Sequence, residues 1–171
     1  MKVLLRLLLS LFVIVFIISL QFATSQLLPF PLNKINVIFG SIVLMLLLTR
    51  NGVLVWMSFF LHYLVELYAT IPFGVVLFSG TMTTLVLYWI SREVFSSAKM
   101  IIVLGMGLVS IIIYRFFYTV TLVFANAITH NTAPALNVEI LSLYGWEVLF
   151  TTGFIALLYL ILPTRIKNHY A

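Results

Sequence analysis

Apolar residues occupy this chain in six runs, each closed by a short polar break. The first covers residues 3–22. The second, 35–48, is short, and Thr49-Arg50-Asn51-Gly52 ends it with a charge and a turn pair. The third, 53–69, meets Thr70-Ile71-Pro72-Phe73-Gly74, where proline lacks an N–H and glycine relaxes φ. The fourth is 75–90, and a polar connector from Ser91 to Lys99 follows it. The fifth, 100–125, leads into a polar loop from Asn126 to Glu139 that contains Pro134. The sixth, 140–162, stops at Pro163. A helix needs about 20 apolar residues to cross a hydrocarbon core. The pattern therefore predicts an all-α polytopic membrane protein, six transmembrane helices in one domain over residues 1–171. Merging the third and fourth runs would need one apolar segment of about 38 residues, nearly twice a membrane's thickness. No internal repeat, low-complexity tract or heptad seam is visible.

Composition agrees with the pattern. The chain is 64% hydrophobic and 8% charged, with a mean hydropathy of +1.24. These values lie outside the range of soluble domains. The absence of cysteine excludes disulfides, iron–sulfur clusters and thiol chemistry. Three scattered histidines argue against a buried transition-metal site, and no cofactor is expected.

The net charge of +5 reflects span ends and not nucleic-acid binding. With the amino terminus in the cytoplasm, Lys2, Arg6, Arg50, Arg92, Lys99, Arg165 and Lys167 all lie inside, and Lys34 alone lies outside. That is the positive-inside distribution, with both termini cytoplasmic. Arg92, Glu93 and Lys99 are read first as solvated topology signals and second as contacts to a cytoplasmic filament. Lys2 and Arg6, an apolar run and Ala23-Thr24-Ser25 also have the outline of a signal peptide. The run is longer than a usual signal core, so it is read as an uncleaved anchor.

Charges inside the apolar runs need their own account. His62 and Glu66 are four residues apart and share a helix face. Glu66 lies about 13 residues from the cytoplasmic end of its span, roughly 20 Å. Arg115 lies about 15 residues into the fifth span, roughly 22 Å. Glu147 enters the same layer from the other side. An intramembrane charge is costly unless paired or hydrated. The similar depths predict that Glu66 meets Arg115, with Glu147 nearby and Tyr114, Tyr118 and Tyr144 as hydroxyl partners. A substrate or proton site is the functional reading; an ion pair that fixes helix register is the structural one and carries more weight. His62 is read as a hydrogen-bonding core residue, because no second His or Cys is placed to join it on a metal.

Other signatures of chemistry are missing. Gly105-Met106-Gly107 lacks the third glycine of a phosphate loop and sits inside an apolar run. There is no His-Glu-x-x-His, and the chain has no aspartate for intramembrane proteolysis. Gly105, Gly107, Ser79, Gly80, Thr84, Gly153 and Ala156 are read as sites of close helix approach.

The stretch "VELYATIPFGVVLFSG", Val65 to Gly80, follows a first anchor, a short second span and the basic turn "TRNG". The connector "WISREVFSSAK" and two long closing spans come after it. In this order and in these residues the chain resembles the MreD family of bacterial rod-shape-determining membrane proteins. Glu66, Pro72, Phe73 and Gly74 match the family's acidic residue and Pro-(Leu/Phe)-Gly break. Glu stands where Asp is common, and "YAT" replaces a Leu-Ser-Gly type stretch. The layout match covers most of the chain, the motif match about fifteen residues.

The resemblance implies a non-enzymatic role in the cell-elongation complex of the bacterial cytoplasmic (inner) membrane. Its implied partners are an MreC-like bitopic protein, an MreB-like filament and a peptidoglycan synthase pair, a polytopic glycosyltransferase with a class B penicillin-binding protein. The implied fold is similar to the substrate-binding subunits of energy-coupling-factor vitamin transporters. Such a subunit is the rival reading, and it predicts an outward polar cavity lined from the outer loops, with Gln26, Asn33, Asn126, His130 and Asn131, and from the Glu66 layer. An Ala-rich motif for docking an ATPase is not evident. An enzyme of lipid metabolism is a third reading, without the acidic metal-binding motifs it would use.

Overall fold

The computed structural model describes residues 2–49, 51–93, 100–129 and 138–161. Arg50, Lys99, His130, Asn131, Arg165 and Lys167 lie outside the described residues. Six α-helices stand where the six apolar runs predict them: α1 (Lys2–Leu27), α2 (Val37–Thr49), α3 (Val53–Glu66), α4 (Val75–Glu93), α5 (Met100–Thr129) and α6 (Val138–Ile161). A 3-10 turn, Leu32–Lys34, joins α1 to α2, and there is no strand among the described residues. Helices α1, α4, α5 and α6 are long and apolar enough to cross a membrane. Helices α2 and α3, with 13 and 14 residues, are shorter than a span.

The breaks follow from local chemistry. Between α2 and α3, the side-chain oxygen of Asn51 accepts the Val53 N–H at 3.1 Å and starts α3. Helix α2 starts at Val37, two residues later than the apolar run predicts. Asn36 is the reason: its side-chain oxygen accepts the Phe39 N–H at 3.2 Å, an N-cap. Helix α3 ends at Glu66, three residues short of the expected Ala69. Its last turn tightens, with the Tyr68 and Ala69 N–H groups bonding the carbonyls of Val65 and Glu66 at 3.0 Å. Pro72 prevents resumption, and Gly74, at φ +101°, takes the left-handed turn that α4 needs to begin.

Helix α2 is apolar on every side, and it is accordingly the most enclosed element. Its Phe39, Ile42, Val43 and Leu46 are fully buried. Val43, Leu46 and Leu47 pack with Leu54, Leu87, Val103, Met106, Ile155 and Tyr159. Ile38 and Ile42 meet Ile17 and Leu61 on the α1 side. Phe39 meets Ile111 and Tyr114 on the α5 side.

The outer surface is unlike that of a water-soluble protein. Ser58, Ser79, Thr83, Thr84, Ser110 and Thr151 are buried inside, while Phe12, Trp56, Trp89, Phe116 and Phe124 face outward. Such a surface requires lipid, and the chain is a membrane protein.

The small residues divide into two groups. A Cβ at Gly80 would overlap the His62 ring, one at Gly107 would press on Ile155 Cδ1 at 2.9 Å, and one at Gly40 on Phe154 at 2.9 Å. Gly105 and Gly153, expected at close contacts, have nothing within 4 Å of that position and mediate none. They lie on faces turned away from the neighbouring helices, a distinction that glycine content alone does not carry.

Candidate functional site: a polar chamber at one end of the bundle

Glu66 is buried at the end of α3. Its Oε1 accepts the Gly74 N–H at 3.1 Å, and its Oε2 accepts the Leu77 N–H at 2.5 Å. Pro72 and the turn at Gly74 leave the first amides of α4 without intrahelical acceptors, and Glu66 supplies them. A carboxylate at a helix N-terminus is further favoured by the helix dipole. The expected Glu66–Arg115 pair does not form. Similar depth counted along two helices does not fix which helix faces meet. The amides released by the chain break hold the Glu66 carboxylate instead.

Arg115 pairs with Glu147. Its Nε donates to Glu147 Oε2 at 2.6 Å, and its Nη2 donates to the same oxygen. Glu147 Oε1 accepts from Asn36 Nδ2 at 3.3 Å. Three rings surround the guanidinium: Tyr144 at 4.3 Å, and Tyr114 and Tyr118 at 5.5 Å each. The tyrosines expected near the cluster are there, serving as cation–π faces.

His62 sits one layer deeper. Its Nδ1 lies 2.8 Å from the Ser58 carbonyl oxygen, which only accepts, so Nδ1 carries the proton. Ser58 Oγ lies 2.7 Å from Thr84 Oγ1. The ring packs against Phe39, with centroids 5.2 Å apart, over the bare backbone of Gly80. This is a satisfied core histidine joining α3 to α4. Among the described residues, no group of three or more His, Cys, Asp or Glu side chains could hold a metal ion.

Gln21, Asn36 and Thr151, not singled out from the sequence, complete the seam, with Asn36 capping α2. Gln21 of α1 accepts the Val37 N–H at 2.8 Å through Oε1. Thr151 Oγ1 of α6 accepts the Asn36 N–H at 2.9 Å. Both satisfy amides at the start of α2 that no intrahelical carbonyl reaches. The available signal was a lone glutamine late in an apolar run and an asparagine just before another.

These groups enclose a cavity of about 330 Å³ at the end of the bundle that carries the 3-10 turn and the α3–α4 break. Its polar lining comes from Gln21, Asn33, Lys34, Asn36, His62, Arg115, Tyr144 and Glu147. Glu66 lies just outside the lining. Pro72 and Phe73 form the break beside it, and Phe73 is exposed. Arg92 is exposed at the far end of α4.

Compared with protein-family models, curated proteins and solved structures, the chain matches none.

Proposed function

We propose that this chain is a non-enzymatic membrane scaffold of the bacterial cell-elongation complex, crossing the cytoplasmic membrane six times with both termini inside. One observation supports this reading above others. The Val65–Gly80 stretch, which carries the resemblance to MreD, folds as a single mechanical unit. Its acidic residue caps the helix that its Pro-Phe-Gly break begins. Glu66, Pro72 and Gly74 of the motif all serve this break. A scaffold uses such a unit to hold a fixed outline toward an MreC-like bitopic protein, an MreB-like filament and the peptidoglycan synthase pair.

The test is a mild-detergent pull-down of the tagged chain from its native membrane, read by mass spectrometry. Recovery of a bitopic coiled-coil protein with a peptidoglycan synthase supports the scaffold. Recovery of paired ATPases with a coupling membrane subunit replaces it with the second reading, a substrate-binding subunit of an energy-coupling-factor-type transporter. The 330 Å³ chamber is the observation that favours that alternative.

A further inference from the structure

We infer that the chamber binds a small oxyanion that also carries a hydrogen-bond donor, the chemistry of a protonated phosphate group. The site stands whether or not the chain joins an elongation complex.

The charges of the lining set the sign. Lys34 and Arg115 are cationic and Glu147 is anionic, which leaves an excess of one positive charge. Glu147 is fully engaged: one oxygen takes two Arg115 nitrogens and the other takes Asn36. Arg115 is not. Its Nη1 has no hydrogen-bond partner among the described residues, its side chain is 27% exposed, and it lines the chamber. Tyr114, Tyr118 and Tyr144 stand against the guanidinium, so a ligand reaches its open edge through the cavity. Lys34, at the end of the 3-10 turn, makes no ion pair among the described residues. Lys34, with no ion pair, and the open edge of Arg115, whose charge Glu147 already shares, therefore line one space. Charge-assisted contacts of this kind are the strong ones in oxyanion recognition.

A second observation narrows the class. Asn33 Oδ1 is buried without a hydrogen-bond partner, and Asn33 lines the same chamber. A buried acceptor left unmade is costly, and it is satisfied if the Asn33 amide turns toward a ligand that brings a donor as well as a negative charge. A protonated phosphate meets both needs; sulfate meets only one. The volume lies at the lower end of ligand pockets, which run from roughly 300 to 1,000 Å³. The phosphate can be free or can head a lipid, since the chamber lies at an end of a membrane bundle.

The experiment uses the full chain purified in a neutral maltoside detergent and follows thermal unfolding by tryptophan fluorescence. Inorganic phosphate, sulfate at equal ionic strength and dihexanoyl phosphatidic acid are titrated in turn. The expected result is a saturable rise in Tm with phosphate that sulfate does not reproduce. If the soluble lipid saturates and inorganic phosphate does not, the site takes a headgroup; if inorganic phosphate saturates alone, it takes the free ion. Lys34→Gln leaves the Arg115–Glu147 pair in place and is expected to weaken binding about tenfold, the loss of one charge-assisted hydrogen bond. Arg92→Gln, at the far end of α4, is expected to leave it unchanged. Absence of saturation with all three probes overturns the inference. So does an equal response to phosphate and sulfate that persists in Lys34→Gln.

Discussion

Replacing Glu66 by glutamine changes one atom and tests how the α3–α4 break is held. Two backbone N–H groups point at the carboxylate, at 3.1 and 2.5 Å. A hydrogen bond to a charged acceptor contributes about 1.5–3 kcal/mol, and a neutral one about 1 kcal/mol. Glutamine keeps one neutral acceptor and turns an NH₂ donor toward the other amide. One charge-assisted bond is lost and the second is weakened. Some relaxation toward the chamber offsets part of this, which leaves an expected loss of about 2–3 kcal/mol. The assay is unfolding in mixed micelles with increasing dodecyl sulfate, followed by tryptophan fluorescence. A loss below about 0.5 kcal/mol, the level of an ordinary surface change, would refute the capping account. Double-mutant cycles then separate the partners of Arg115. Arg115→Gln with Glu147→Gln is expected to couple by more than about 1 kcal/mol, and Arg115→Gln with Glu66→Gln by less than about 0.5 kcal/mol. The reverse ranking would mean that the wrong carboxylate has been given to the arginine.

Gly80→Ala forces a methyl into the His62 ring and is expected to destabilise by about 1–3 kcal/mol in the same assay. Gly105→Ala meets open space within its helix and is expected to be neutral or stabilising by up to about 1 kcal/mol. Gln21→Leu strands the Val37 amide and is expected to lower stability by about 1–2 kcal/mol, with faster hydrogen exchange at the start of α2. Topology is open to cysteine labelling, since the chain has no cysteine of its own. Phe30→Cys is expected to react with an impermeant maleimide on intact cells, and Glu93→Cys only after permeabilisation; the opposite result would invert the orientation.

Helix positions were legible because hydropathy and helix breakers act locally. Gly52 and Pro72 punctuate the chain wherever it is folded, and the structure turns at both. The choice of partner was not legible. Depth can be counted along one helix at a fixed rise per residue, and it brought Glu66, Arg115 and Glu147 to one level. Rotation about each axis and the packing order of six helices decide which side chains face each other, and neither is local. The amides that claim Glu66 were themselves implied by Pro72 and Gly74. Asking where those broken-helix donors go would have named Glu66 as their acceptor. Gln21 and Thr151 answer the same question at the start of α2. In sequence Lys34 is a lone outer charge, and its place on the same chamber as Arg115 depends on how the 3-10 turn sits on the bundle.

The brevity of α2 and α3 has a consequence for the surrounding lipid. Helices of 13 and 14 residues reach roughly 20 Å, against a hydrocarbon core of about 30 Å. Asn36 before α2 and His62 and Val65 of α3 line the chamber, so if both helices cross the membrane the shortfall falls on that side. Headgroups and water would then dip toward α3, whose Trp56 and Phe60 face outward, and the bilayer would thin locally at a modest cost for each ångström of mismatch. Proteins that deform the membrane in the same way lower that cost by sharing the deformed patch. The bilayer itself would then gather this chain with similarly short neighbours before any side chain touches.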